Sequence, residues 1–261
     1  MDLGIHGMTA IVCASSKGLG KACALSLAAE GVNVVINGRT QSTLEQAAEE
    51  IMGQCKDGAN VTQVCADVTT ALGREQLLAA CPAPDILVNN AGGPAPGNFR
   101  EWGDEEWQAA INANMLTPIR LIKATVDTMA SNGFGRIVNI TSAAVKAPIS
   151  VLGLSNGARS GLTGFVAGVA REVAASGVTI NNMLPGVFAT DRLPGVMGYA
   201  AKSSGKTVEQ VTELRRNAIP VKRFGDPMEF GQLCAFLCSR QAGYLTAQNI
   251  VIDGGAFPGS L

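Results

Sequence analysis

The chain has 261 residues, 47% of them hydrophobic and 16% charged, enough apolar material for one large core, and open α/β folds reach this length as one domain. Twenty basic residues stand against 21 acidic ones, and no lysine or arginine run tracks a phosphate backbone, which argues against nucleic acid as a partner. Met1-Asp2-Leu3-Gly4 lacks the basic-then-apolar order of a secretory signal, and no apolar stretch runs uninterrupted to the ~18 residues of a membrane span. The expectation is a soluble, cytoplasmic protein with no membrane partner. Seven cysteines (Cys13, Cys23, Cys55, Cys65, Cys81, Cys234 and Cys238) include no C-x-x-C pair, in keeping with reduced thiols. Cys234 and Cys238 stand one helical turn apart, but one histidine and no second ligand pair favour core packing over a metal site.

Short β-branched runs alternate with stretches of helical period, the pattern of repeated βαβ units around a parallel sheet. The first strand is expected at Thr9–Cys13 and runs into Val12-Cys13-Ala14-Ser15-Ser16-Lys17-Gly18-Leu19-Gly20-Lys21, which opens a helix over Leu19–Glu30. Small residues in such a loop let backbone N–H groups approach a pyrophosphate at the positive end of the helix, although an ordinary tight turn can look the same. A strand at Asn33–Ile36 and a helix over Gln41–Met52 follow, then a strand at Val61–Cys65, a helix over Ala71–Ala80 and a strand at Ile86–Val88. Further on come a long helix over Asp104–Ala130, a strand at Arg136–Ile140, a helix over Leu154–Ala175 and a strand at Thr179–Met183. Residues Asp191–Ala218 are polar, irregular and long for a connection, so they read as a lid on the substrate side. A helix over Pro227–Ser239 and a strand at Asn249–Ile252 complete a single-domain, Rossmann-type doubly wound parallel α/β sheet of about seven strands, with helices on both faces.

Seven motifs, in order, make the chain resemble the short-chain dehydrogenase/reductase family over essentially its full length. The first loop is similar to Thr-Gly-x-x-x-Gly-x-Gly, with Cys13-Ala14 in place of Thr-Gly, and Asp67-Val68 matches the adenine-contacting pair after the third strand. Asn89-Asn90-Ala91-Gly92 is the family's tetrapeptide after the fourth strand, Asn114 matches its helix asparagine, and Ser142 the serine ending the fifth strand. Pro185-Gly186-Val187-Phe188-Ala189-Thr190 resembles the segment that meets the nicotinamide carboxamide, and Asp253-Gly254-Gly255 the C-terminal motif. The resemblance implies cofactor contacts from Ala14, Ser16, Lys17, Gly18, Leu19, Gly20, Asp67, Val68, Asn90, Ala91, Gly92, Pro185, Gly186, Val187 and Thr190. Ala14 carries a methyl group where backbone conformation or close approach favours glycine, which is tolerable only if the local φ is negative.

Cofactor choice follows from charge. The second strand ends in Ile36-Asn37-Gly38-Arg39-Thr40, with no carboxylate for a ribose 2′-hydroxyl. Arg39 and Lys17 are instead placed to meet a 2′-phosphate, which predicts NADP(H) in preference to NAD(H); the alternative is that Arg39 only solvates the surface.

The family's catalytic Tyr-x-x-x-Lys should begin thirteen residues after Ser142, where this chain has Ser155-Asn156-Gly157-Ala158-Arg159. The resemblance implies that asparagine holds a water relaying protons to lysine, that lysine binds the nicotinamide ribose, and that tyrosine protonates the carbonyl oxygen. Arg159 can hydrogen-bond a ribose but cannot readily hand on a proton, and Ser155 is a far weaker acid than a phenol. The candidate site is therefore Asn114, Ser142, Ser155 and Arg159, with Arg159 also touching cofactor. Lys146 and Tyr199 are candidate replacement acids, each with a bland reading as a solvated loop lysine or a lid residue. His6 and Tyr244 are expected to be structural, and Trp102 and Trp107 either line a substrate wall or pack a helix start.

The expected activity is an NADP(H)-dependent, 3-oxoacyl-carrier-protein-reductase-like oxidoreductase acting on a small-molecule carbonyl or secondary alcohol through a divergent active site. Two alternatives stay open: an inactive nucleotide-binding scaffold or partner subunit of an active reductase, and imine reduction on the same pocket. The resemblance also implies a homo-oligomer, dimer or tetramer, through the two long helices, and a homo-tetramer is expected.

Overall fold

In a computed structural model, which describes residues 1–56 and 58–259, seven parallel strands form one sheet in the order β3-β2-β1-β4-β5-β6-β7. The strands are β1 (Thr9–Val12), β2 (Asn33–Gly38), β3 (Val61–Cys65), β4 (Ile86–Asn89), β5 (Gly135–Ile140), β6 (Val178–Pro185) and β7 (Asn249–Ile252). Because both faces are covered, the central strands are apolar at successive positions rather than at alternate ones. Along β1, Ala10 and Val12 face one core with Leu27 and Phe230, while Ile11 faces the other with Leu121 and Leu162.

The first core is roofed by α1 (Gly18–Ala29), α2 (Gln41–Met52) and α9 (Pro227–Leu237); the second by α3 (Ala71–Ala80), α5 (Thr117–Ser131) and α6 (Gly153–Val173). Cys234 and Cys238 lie buried in the first core, and the hydrogen bond between Cys234 and Cys23, together with burial, holds the Cys234 thiol well above its ordinary range. No helix among the described residues is long and apolar enough to cross a membrane.

Two elements depart from the sequence reading. The long helix expected over Asp104–Ala130 is α4 (Asp104–Ile111) and α5 joined by a π-helical turn at Asn112–Leu116, a form of bulge that often marks functional sites. The segment expected to be irregular is a pair of helices, α7 (Leu193–Ser204) and α8 (Val208–Ala218). A capping box between Thr207 and Gln210 starts α8 and left-handed Gly205 ends α7. Met197, Ala201 and Val211 give this pair a small core separate from both sheet cores.

Candidate active site

The strand order reverses between β1 and β4, and in open α/β sheets ligands bind outside the carboxyl ends of the strands at that switch point. The loop after β1 stands there. Lys17 is the N-cap of α1 and supplies no side-chain bond to its free N–H groups, whereas Asp226 caps α9 and Thr70 caps α3. The open end of α1 thus keeps its partial positive charge for an anionic ligand.

Glycines shape the cradle by close approach. A side-chain carbon at Gly20 would lie 2.4 Å from the Ala14 carbonyl oxygen and 2.7 Å from Asn90 Nδ2. Gly18 has φ +58° and faces the Thr190 side chain, which brings the β6 segment against the first loop. Ser16 packs against Gly38, and Leu19 packs on the first core. Ala14 has φ +46°, so the condition for a tolerable methyl group is not met: this alanine sits in the left-handed region. Asn37 compensates, accepting from Ala14 N at 3.4 Å and donating to the Val64 and Ala66 carbonyls at 3.0 Å each. Buried Ser15 adds a second tie, its hydroxyl bonding the Val12 carbonyl at 2.7 Å. Cys13, in the motif's threonine place, is fully buried and its thiol is pushed up to about 12 by burial, which makes it inert as a nucleophile.

After β3, Val68 is buried and Asp67 is half-buried. Burial alone would raise the Asp67 carboxyl, but the Thr69 hydroxyl at 2.7 Å, the Thr69 N–H at 2.9 Å and the charge of Arg39 outweigh it and hold it below its ordinary value. Lys17 and Arg39 are exposed and have no ion-pair partner among the described residues. Pro185 ends β6 against Ile252, Gly186 is so close to Asp253 that a side-chain carbon there would lie 2.6 Å from its Cβ, and Val187 lines a neighbouring cleft with Val221. This set fits a dinucleotide: a cradle that only glycines leave open, an open helix end and two exposed cations.

The reacting side is built from β4, β5, the π turn and α6. Asn90 donates to the Ala14 carbonyl at 3.1 Å, and Asn114 donates to the Gly92 and Ala110 carbonyls, both at 3.4 Å. Asn90, Ala91, Asn114, Thr117 and Arg159 line a cavity of about 10 Å³. The Asn114 Oδ1, Asn89 Oδ1 and Thr117 Oγ1 atoms around it are buried with no hydrogen-bond partner among the described residues, so it has the size and polarity for one water. Ser155 and Arg159 lie one turn apart on α6, both 7% exposed, with Arg159 Nε donating to Ser155 Oγ at 3.1 Å and Nη1 to the Ile140 carbonyl at 2.7 Å. Burial, and behind it the charge of Arg192, pull the Arg159 guanidinium down to about 10, still a cation at neutral pH. Ser142, half-buried at the end of β5, accepts from Ala144 N at 3.1 Å.

Asn89 also belongs to a row of side-chain amides that crosses four strands in register. Asn89 donates to Asn139 at 2.9 Å, Asn139 to Asn182 at 3.0 Å, and Asn182 to Asn249 at 2.8 Å.

Other expectations are settled by placement. Trp102 and Trp107 form a T-shaped pair whose rings press on Gly153 and Gly157 of α6, and Met115 presses on Gly161, so both tryptophans pack helices together. Tyr244 is fully exposed, not a packing residue as expected, and His6 lies against Gly31 at the opposite edge from the strand ends. Among the described residues, no hydrogen bond joins Lys146 or Tyr199 to the Ser155 group. The sequence reading missed Ser15, Asn37, Gly93 and Arg192; Asn37, polar in a β-branched run, was the one visible signal.

A family model described as Enoyl-(Acyl carrier protein) reductase matches residues 13–256. The chain belongs to the short-chain dehydrogenase/reductase family. It is 34% identical to the 3-oxoacyl-[acyl-carrier-protein] reductase FabG of Vibrio harveyi over 98% of this chain and 99% of that one. To the NADPH-dependent reductase BacG of Bacillus subtilis it is 31% identical, covering 95% of this chain and 97% of BacG. The solved L-sorbose reductase of Gluconobacter frateurii, complexed with NADPH and L-sorbose, superposes with a TM-score of 0.91 at 29% identity, covering 99% of this chain and all of that one. The chain is accordingly an oxidoreductase of this family.

Proposed function

We propose that the chain is an NADP(H)-dependent oxidoreductase interconverting a small-molecule carbonyl and its alcohol, with Asn114, Ser142, Ser155 and Arg159 around the reacting carbon. The observation that carries this reading is the uncapped end of α1 flanked by Lys17 and Arg39, with no carboxylate at the end of β2. The NADPH named for BacG and for the sorbose reductase structure supports the same cofactor. A bound nicotinamide supplies the hydride that a carbonyl carbon accepts while its oxygen takes one proton. Ser142 and Ser155 orient that oxygen through their hydroxyls, and the Asn114 cavity holds a water beside Arg159. Arg159 stays protonated, so its part is to bind and orient. Losing a phenolic general acid lowers a rate by about 10²–10⁴, which leaves positioning to carry a slower reaction.

In this reading α7 and α8 form the substrate-side lid, supported by their separate core. Assembly as a cytoplasmic homo-oligomer through α5 and α6 is supported by Gly164 and Gly168, which have open space while Gly157 and Gly161 are covered within the chain. Calorimetric titration tests the cofactor: NADPH is expected to bind roughly tenfold or more tightly than NADH, a difference of about 1.4 kcal/mol or more. Equal affinities, or no hydride transfer above background across oxoacyl thioesters, ketones, aldehydes and secondary alcohols, overturn the proposal.

A further inference from the structure

Arg159 is buried, and among the described residues it has no carboxylate beside it and no hydrogen-bond partner for Nη2, while its Nε and Nη1 are held by Ser155 and Ile140. A lone buried guanidinium is costly, and a chain that keeps one keeps it for something the charge does. A second guanidinium comes to the same place. Arg192, exposed at the start of α7, reaches across to the Gly93 and Pro94 carbonyls through Nη2, at 3.4 and 3.3 Å. A side-chain carbon at Gly93 would lie 2.9 Å from Arg192 Nη1 and 3.5 Å from Arg159 Nη2, so the two cations converge on a point that only glycine leaves clear. Neither has an ion-pair partner among the described residues.

We infer that Arg159 and Arg192 form a clamp for a carboxylate on the substrate, and that the substrate is an oxo acid. Arg159 Nη2 and Arg192 Nη1 bring charged N–H donors from two guanidiniums to one point, which suits the two oxygens and the negative charge of a carboxylate better than the single neutral oxygen of a ketone or an alcohol. The clamp shares Arg159 with Ser155, so a carboxylate seated on Nη2 has its neighbouring carbons beside the Ser155 hydroxyl. That spacing suits a 2-oxo or 3-oxo acid, whose carbonyl is one or two bonds from the carboxylate. Arg192 belongs to the element proposed as a lid and already bonds the segment after β4, so a carboxylate between the two arginines would tie α7 to α6 as well. The inference rests on the oxidoreductase reading and narrows its substrate class.

The test changes Arg192, because Arg159 is buried and tied to β5. NADPH is titrated first into wild type and Arg192→Gln. Oxalate, a non-reacting dicarboxylate, is then titrated into the NADPH-loaded and cofactor-free proteins, and turnover of 2-oxobutyrate and acetoacetate is compared with that of their methyl esters. Expected are oxalate binding that Arg192→Gln weakens by about 10–100-fold, partial recovery in Arg192→Lys, and an acid-over-ester preference that collapses in the glutamine variant. The inference is overturned if oxalate fails to bind, if Arg192→Gln weakens oxalate and NADPH equally, or if esters turn over as well as acids. Failure of NADPH to bind sinks the oxidoreductase reading instead, and oxalate binding to the cofactor-free protein that responds to Arg192→Gln then still supports the clamp.

Discussion

The two halves of the site carry their strain in different forms. On the cofactor side, Asn37 ties the ends of β1, β2 and β3 together and Asp67 is held by Thr69, the end of α1 and its two flanking cations stay open to a ligand, and the conformational cost lies in the backbone, where Ala14 takes φ +46°. On the reacting side the backbone is regular apart from one π turn, and the cost lies in a buried cation and in three polar atoms around one cavity that have no partner among the described residues. A dinucleotide is long and makes many contacts, so one strained residue is tolerable. A reacting carbon is small, so its surroundings hold charge and unsatisfied hydrogen-bonding capacity in reserve.

The strongest way to break this comparison is to give the reacting side a conventional acid. The double variant Ser155→Tyr/Arg159→Lys is expected to raise carbonyl reduction by about 10²–10⁴, measured as NADPH consumption, because it supplies a phenol and a titratable amine. No increase in a folded variant would show that Ser155 and Arg159 do not stand in the acid's place. Next in size, Arg39→Ala is expected to weaken NADPH by about 10–100-fold in calorimetry while affecting NADH far less, since it removes charged hydrogen bonds to the 2′-phosphate alone. Equal losses for both cofactors would mean Arg39 only solvates the surface.

A smaller effect sharpens the backbone half of the contrast. Ala14→Gly is expected to stabilise the fold by about 0.5–1 kcal/mol in urea unfolding, the left-handed penalty less the added chain entropy of glycine. Destabilisation would place the strain elsewhere. The smallest effect is a control outside both halves. Arg223 clamps Glu229 at 2.6 and 2.7 Å and, with the Asp226 N–H, holds its carboxyl down from 4.5 to about 2. A depressed folded value means this stabilisation is complete above pH 4.5 and is lost as pH falls toward 2. The stability gap between wild type and Glu229→Gln should close over that window, whereas a gap constant with pH would contradict the pairing.

Much of the fold was legible because βαβ units announce themselves through alternating period, and each expected strand lies within two residues of its observed ends. The helix α7 was not legible: Gly195 and Gly198 lower its intrinsic propensity, and it is held by packing on α8. For α8 the Thr207-x-x-Gln210 signal was present in the sequence. Spacing located Ser155 and Arg159, but no local pattern could show that Arg192, in another element, turns back to Gly93. That convergence exists only in three dimensions. The π turn at Asn112–Leu116 likewise has no signature in a run such as Asn112-Ala113-Asn114-Met115-Leu116.

The asparagine row has one more consequence. Parallel sheets have little net dipole across their strands, but here four amides point the same way, each nitrogen toward the next oxygen, from β4 to the edge strand β7. Their dipoles add and polarise one another. The oxygen end of that polarised file is Asn89 Oδ1, which opens on the cavity shared with Arg159. The negative end of that file and the Arg159 cation therefore line the same cavity, at opposite signs of charge.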